Sequence, residues 1–184
     1  AFKDHGEAFC LLNDQAIAAH YLLDTKKASK ILIIDLDVHQ GNGTAMLFED
    51  NPNVFTFSMH GAKNYPFKKQ RSDLDIGLEN DTQDALYLEI LKNTLPKLVT
   101  KVKPDFIFYL SGVDILASDK LGKLGCTLEG CMQRDRFVFE SCKQANIPVQ
   151  VSMGGGYSKD IDVILEAHKN TFKAAQEVFF NKIF

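Results

Sequence analysis

The sequence predicts an α/β protein in which a mainly parallel sheet lies between two layers of helices, a three-layer α/β/α arrangement. Three observations carry this. Short apolar runs alternate along the chain with longer segments of helical periodicity. The runs are apolar throughout rather than at every second residue, as expected for strands covered on both faces. Each run also ends in polar or glycine-rich residues, at the strand end where open parallel sheets bind ligands. At 184 residues and 45% hydrophobic, the chain can bury one sizeable core, and nothing in it marks a second.

The elements follow in order. A helix is expected over 10–24, then a strand over 30–35 (KILIID), a short helix over 43–49 and a strand over 53–58 (NVFTFS). Residues 60–80 form the one long irregular stretch, a length that usually marks a functional or disordered loop. A helix over 82–102 opens on Asp81-Thr82, which supply start chemistry, and carries Pro96, which should kink or interrupt it. A strand over 105–111 (DFIFYLS) leads to a helix over 128–145 capped by Thr127. A strand over 147–152 (IPVQVS) and a helix over 159–181 with Asp160 as cap complete the pattern.

Bulk properties exclude several functions. The net charge of −3 gives no electrostatic footprint for nucleic acid or an anionic membrane. No apolar run approaches the roughly 20 residues that span a bilayer, and no signal peptide opens the chain. The four cysteines show no C-x-x-C pair and read as reduced thiols of a cytoplasmic protein. Cys126 and Cys131 would be half of a zinc site whose other half is missing.

Chemistry concentrates at the strand ends. Asp35, Asp37 and His39 leave the first strand at i, i+2 and i+4, so an extended backbone would point all three the same way. Carboxylate plus imidazole is a donor set suited to Zn²⁺ or a similar ion. The bland reading is a strand that simply ends in polar residues. Against it, the later strands end in Ser58-Met-His60, Ser111-Gly-Val-Asp114 and Met153-Gly-Gly-Gly-Tyr157, so four endings converge on one rim.

These endings, with Ala8-Phe-Cys-Leu-Leu-Asn-Asp14, Asp35-Leu-Asp-Val-His-Gln-Gly-Asn-Gly43 and Gly112-Val-Asp-Ile-Leu-Ala-Ser-Asp-Lys-Leu-Gly122, resemble the zinc-dependent histone deacetylase superfamily, with its arginase/deacetylase-like fold. HQGNG and DILASDKLG look like the class IV branch and its bacterial relatives. The resemblance implies Zn²⁺ on Asp37, His39 and Asp114, and hydrogen-bond donation to the substrate carbonyl by Tyr157, with Gly155 close to substrate. It implies that Asp35 orients a catalytic histidine and helps hold a structural monovalent cation such as K⁺, with Ser58 and the carbonyl of Met59 nearby. Asn42 stands where other classes pair an aspartate with a second histidine. Phe9 and Tyr65 match positions lining an acyl-lysine tunnel, and Leu121 one near its mouth; each otherwise reads as core packing.

The family's His-His pair belongs immediately before Ala1, and none of the histidines at 5, 20, 39, 60 and 168 forms a pair. The chain is therefore expected to be the larger, C-terminal part of one catalytic domain, incomplete at its N-terminus and inactive alone. The implied reaction is hydrolysis of an acyl-lysine amide, on a protein or a small acylated amine, in the cytoplasm, or in the nucleus of a eukaryote. An acetylpolyamine or small-amide hydrolase and a non-catalytic α/β binding module are the competing readings.

Overall fold

The computed structural model describes residues 1–180. Five strands form one sheet: β1 (Ile31–Asp35), β2 (Val54–Gly61), β3 (Leu74–Leu78), β4 (Phe106–Gly112) and β5 (Val149–Gly154). Their order is β3-β2-β1-β4-β5, and every pairing is parallel. Helices α1 (Asp14–Asp24), α2 (Asn42–Phe48), α3 (Asp84–Val102), α4 (Leu128–Gln144) and α5 (Ile161–Phe180) complete the chain.

Alternation along β1 divides the core in two. Leu32 and Ile34 pack into the larger cluster, with Tyr87, Leu91 and Leu95 of α3, Val138 and Phe139 of α4 and Ala167 and Ala174 of α5. Ile31 and Ile33 face the other way, onto Ala16 and Ala19 of α1 and Phe48 of α2. The expected three-layer arrangement is thus present. Among the described residues, no helix is long and apolar enough to cross a membrane.

The expected loop over 60–80 contains a strand. β3, LDIGL, pairs with β2 from Phe57↔Leu74 to Gly61↔Leu78. Asp75 and Gly77 hid it, because an edge strand buries only alternate residues and lacks the apolar run of a central one. Pro96 does not interrupt α3, which runs through it to Val102. The buried series Leu91, Leu95 and Leu98 continues across that position, and the missing amide forfeits a single ladder bond. Nor do Asp81 and Thr82 cap α3: the cap position is Gln83, without a side-chain bond, and Thr82 donates instead to the Glu79 carbonyl. Helix α1 begins at Asp14 rather than residue 10, with Asn13 accepting from the Ala16 amide. Thr127 caps α4 as expected, accepting from Gly130, and Asp160 accepts from the Asp162 amide in the first turn of α5.

Asp105, just before β4, accepts from the Ser29 amide at 2.8 Å, the Ser29 hydroxyl at 2.7 Å and the Lys30 amide at 3.2 Å, and so pins the starts of β1 and β4 together. Burial acts to raise its pKa, but those hydrogen bonds prevail and hold it below the ordinary value. A depressed carboxylate pKa adds stability that is present above the unfolded-state value and is lost as pH falls through the folded-state one. Asp105 is exposed, so solvent screening discounts these bonds, and Asp105→Ala should cost about 0.5–1 kcal/mol at neutral pH and less under acid, checked by denaturant melts at both.

Candidate metal centre

β1 leaves the sheet at Asp35, and the next residues bend rather than continue extended. The Asp37 amide donates to Asp35 Oδ1 at 3.1 Å, and the His39 amide to Asp37 Oδ1 at 2.8 Å. That turn, not an extended face, brings Asp37 and His39 together. Asp35 stays behind them, buried, with its carboxylate against Gly41, where a Cβ would lie 2.2 Å from Oδ2. The expectation that Asp35, Asp37 and His39 meet at one point is corrected: the third member is Asp114, from the loop after β4.

Asp114 is 1% exposed. Its Oδ1 accepts from the Val38 amide at 2.9 Å, which aims Oδ2 at His39. His39 Nδ1 lies 3.0 Å from Asp37 Oδ1 and 3.2 Å from Asp114 Oδ2, and donor atoms of all three lie within 4.8 Å of one another. Tetrahedral ligands on bonds of about 2.0–2.1 Å are about 3.3 Å apart, so the two separations from His39 match a zinc-sized ion, and the pair of carboxylates lies within 4.8 Å. Two carboxylates and a neutral imidazole would also cancel a double charge. Gly154 and Gly155 close the cluster from β5. Gly155 has φ +65, and a Cβ there would come within 2.5 Å of Asp114 Cγ.

Crowding of these groups shifts their proton affinities. Burial raises Asp114 to about 6, with the charge of Asp37 adding to it. Burial, then Asp37, also pushes Asp35 well above the carboxylate range. At His39 burial acts downward, but hydrogen bonding of its ring to the Asp114 and Asp37 carboxylates prevails and lifts it to about 10.

Tyr157 follows the same glycine loop and is about half exposed. Its amide donates to Asp119 Oδ2 at 2.7 Å, while Asp119 Oδ1 accepts from the Leu121 and Gly122 amides, so one carboxylate sets the placement of both Tyr157 and Leu121. Phe9, 86% exposed, stands 5.8 Å from the Tyr157 ring, and its expected alternative, core packing, is excluded. Tyr65 and Leu121 are likewise exposed. The Tyr65 hydroxyl donates to Glu7 Oε1 at 2.5 Å, and Asn42 Nδ2 reaches the same oxygen at 2.8 Å. The Leu121 carbonyl accepts from Asn64.

The other histidines are engaged elsewhere. His60 is buried with Nδ1 2.9 Å from Ser58 Oγ, the His20 ring lies tilted against Phe48, His5 pairs with Asp4, and His168 lies behind Gly156. Cys126 and Cys131 are buried free thiols, not a zinc half-site; Cys131 accepts from Arg134.

Sequence reasoning missed Asp119, Glu7 and the buried pair Arg134–Asp135. Asp119 was discoverable, since Asp-x-x-Gly is a turn signature. Glu7 and Arg134 carried no signal: each reads as a solvated charge until the fold supplies its partners.

Residues 1–174 match the family described as the histone deacetylase domain. An uncharacterized protein of Picosynechococcus sp. is 48% identical over 179 residues, covering 97% of this chain and 60% of that protein. Histone deacetylase 2 of Arabidopsis thaliana is 31% identical over 159 residues, covering 85% and 41%. The crystal structure of an acetylpolyamine aminohydrolase from Burkholderia pseudomallei superposes with a TM-score of 0.81 over 97% of this chain and 53% of its own, at 21% identity, a likeness of fold. The chain thus spans roughly half the length of the proteins it matches.

Without metal, a raised histidine pKa adds stability that is fully present below the unfolded value of 6.5 and is lost as pH rises through about 10. An NMR titration of the metal-free protein should accordingly find His39 still protonated at pH 8. A ring that titrates near 6.5 would show the three side chains apart.

Proposed function

This chain belongs to the histone deacetylase family, and from that premise we propose that it carries the metal-holding and oxyanion-stabilising part of a zinc-dependent amidohydrolase. The substrate class is an acylated amine, acyl-lysine on a protein or a similar small amine, released as free amine and acetate. Membership supports a hydrolase; the zinc, the substrate and the class IV-like character are our reading. The observation that carries it is the convergence of Asp37, His39 and Asp114 from two strand ends beneath the loop that leads to Tyr157.

A divalent ion held by those three residues would polarise an amide carbonyl and lower the pKa of a water towards about 7. The rest falls to side chains. Tyr157 donates a hydrogen bond to the carbonyl oxygen as it gains negative charge, and Asp119 keeps the Tyr157 backbone where that donor is useful. Phe9, tilted beside Tyr157, and Tyr65, tethered by Glu7, form apolar walls for an acyl chain. Leu121 borders the entrance. Asp35 holds the Asp37 amide and, with Ser58 and neighbouring carbonyls, would seat a monovalent cation such as K⁺.

Proton transfer to and from the water and the departing amine would fall to the family's histidine pair, which none of these 184 residues supplies, and Asn42 stands where other classes pair an aspartate with the second of them. We propose that the chain is the larger, C-terminal part of one catalytic domain and that the enzyme is cytoplasmic.

In the full-length protein, Asp114→Ala should abolish stoichiometric zinc by elemental analysis. Tyr157→Phe should keep the zinc while lowering kcat on an acetyl-lysine peptide about 10²–10³-fold. Unchanged zinc in Asp114→Ala removes that residue from the site, and a zinc-loaded protein that hydrolyses no acylated amine ends the reading. If the general acid and base lie outside these 184 residues, the chain alone should lose about 10²–10⁴-fold in rate against the full-length enzyme.

A further inference from the structure

We propose that Arg134 is a positioning residue for the metal centre: through the carbonyls of Leu36 and Gly112 it fixes the gap between the strand end bearing Asp37 and His39 and the one bearing Asp114. The inference rests on the metal reading given above.

Arg134 lies inside α4 with its side chain 0% exposed, beside Asp135, also 0% exposed. A buried ion pair carries a desolvation cost of several kcal/mol per ion, and apolar residues of similar volume often serve stability as well or better. Its presence therefore asks what else it does, and the bonding pattern answers. Nη1 donates to the Gly112 carbonyl at 2.5 Å and to the Leu36 carbonyl at 3.3 Å. Leu36 immediately precedes Asp37, and Gly112 lies two residues before Asp114.

The β1–β4 register ends at Asp35↔Leu110, with one further bond from the Leu36 amide to the Leu110 carbonyl. Beyond that point the ladder no longer sets the separation of the two strands, and the guanidinium takes over. Spacing there is tight: a Cβ on Gly112 would sit 2.5 Å from Asp37 Cα and 2.8 Å from Asp114 Oδ1. A small shift at either carbonyl would move a ligand.

The guanidinium is itself held. Nε donates to Asp135 Oδ1 at 2.8 Å, and Nη2 donates to Ser111 Oγ at 2.9 Å and to Cys131 Sγ at 3.3 Å. Asp135 also accepts from Tyr109 at 2.5 Å, from Ser111 at 3.1 Å and from Thr171 of α5 at 2.6 Å. Donors in a rigid planar fork can satisfy several fixed acceptors together, whereas a lysine ammonium on a flexible stem cannot reproduce that geometry.

The test uses the full-length protein, with zinc affinity measured by chelator competition and the ligand field by the absorption spectrum of the Co²⁺ form. Arg134→Lys should weaken zinc binding about tenfold or more and alter the cobalt spectrum, within the 10–100-fold typical of groups that orient ligands. Arg134→Met combined with Asp135→Asn removes both charges, leaves no unpaired buried ion, and should show the same loss while folded. Thr171→Val, in the same network but on its α5 side, should lower Tm and leave affinity and spectrum unchanged. Folded Arg134 variants with wild-type affinity and spectrum overturn the proposal alone. A wild-type protein that binds neither ion overturns it together with the metal reading.

Discussion

The structure is organised around a conflict between burial and charge where two parallel strands leave the sheet. Asp35, Asp37 and Asp114 crowd together there with His39, and water is largely excluded. Carboxylates in such a place repel one another and lose hydration, which is why Asp35 and Asp114 resist ionisation and His39 holds its proton. Neighbouring features follow from this. Glycines at 112 and 155 give the carboxylates room that any side chain would deny them. Backbone amides of Asp37, Val38 and His39 turn inward to serve as donors.

The sheet supplies position and the loops supply direction. Parallel pairing places the ends of β1 and β4 side by side, since Asp35 stands opposite Leu110. It cannot aim a side chain beyond its last residue. Aiming is done by local bonds: Val38 turns the Asp114 carboxylate, Asp119 anchors the Tyr157 amide, and Glu7 gathers Tyr65 and Asn42. A rim built this way depends on contacts between residues distant in sequence, such as Glu7 with Tyr65.

That division explains what could be read from the sequence. The central strands were visible as apolar runs because both their faces are covered, and the candidate ligands because carboxylate and imidazole ended those runs. β3 was not, since its alternating Asp75 and Gly77 resemble a loop until β2 supplies the partner. The turn that brings His39 back beside Asp37 was mistaken for extended backbone, because i, i+2, i+4 spacing is silent about where a strand stops. Arg134 was the least legible residue. In a helix with Gln133, Asp135 and Arg136 it reads as one of a solvated run, and only the approach of β4 and α5 encloses it.

Two buried charge clusters thus share the end of β4, and they differ in a way that bears on chemistry. Arg134 and Asp135 neutralise each other, and every bond they make is to groups fixed in the fold. Nothing there calls for another charge. The cluster at Asp37, His39 and Asp114 has one imidazole against two acids, and the same Nδ1 faces two carboxylate oxygens although it can offer a proton to only one at a time. A cation with two positive charges, held by Asp37, His39 and Asp114, would replace that contested proton and relieve the repulsion between the acids. The satisfied pair suits a brace, and the unsatisfied one could hold a metal ion.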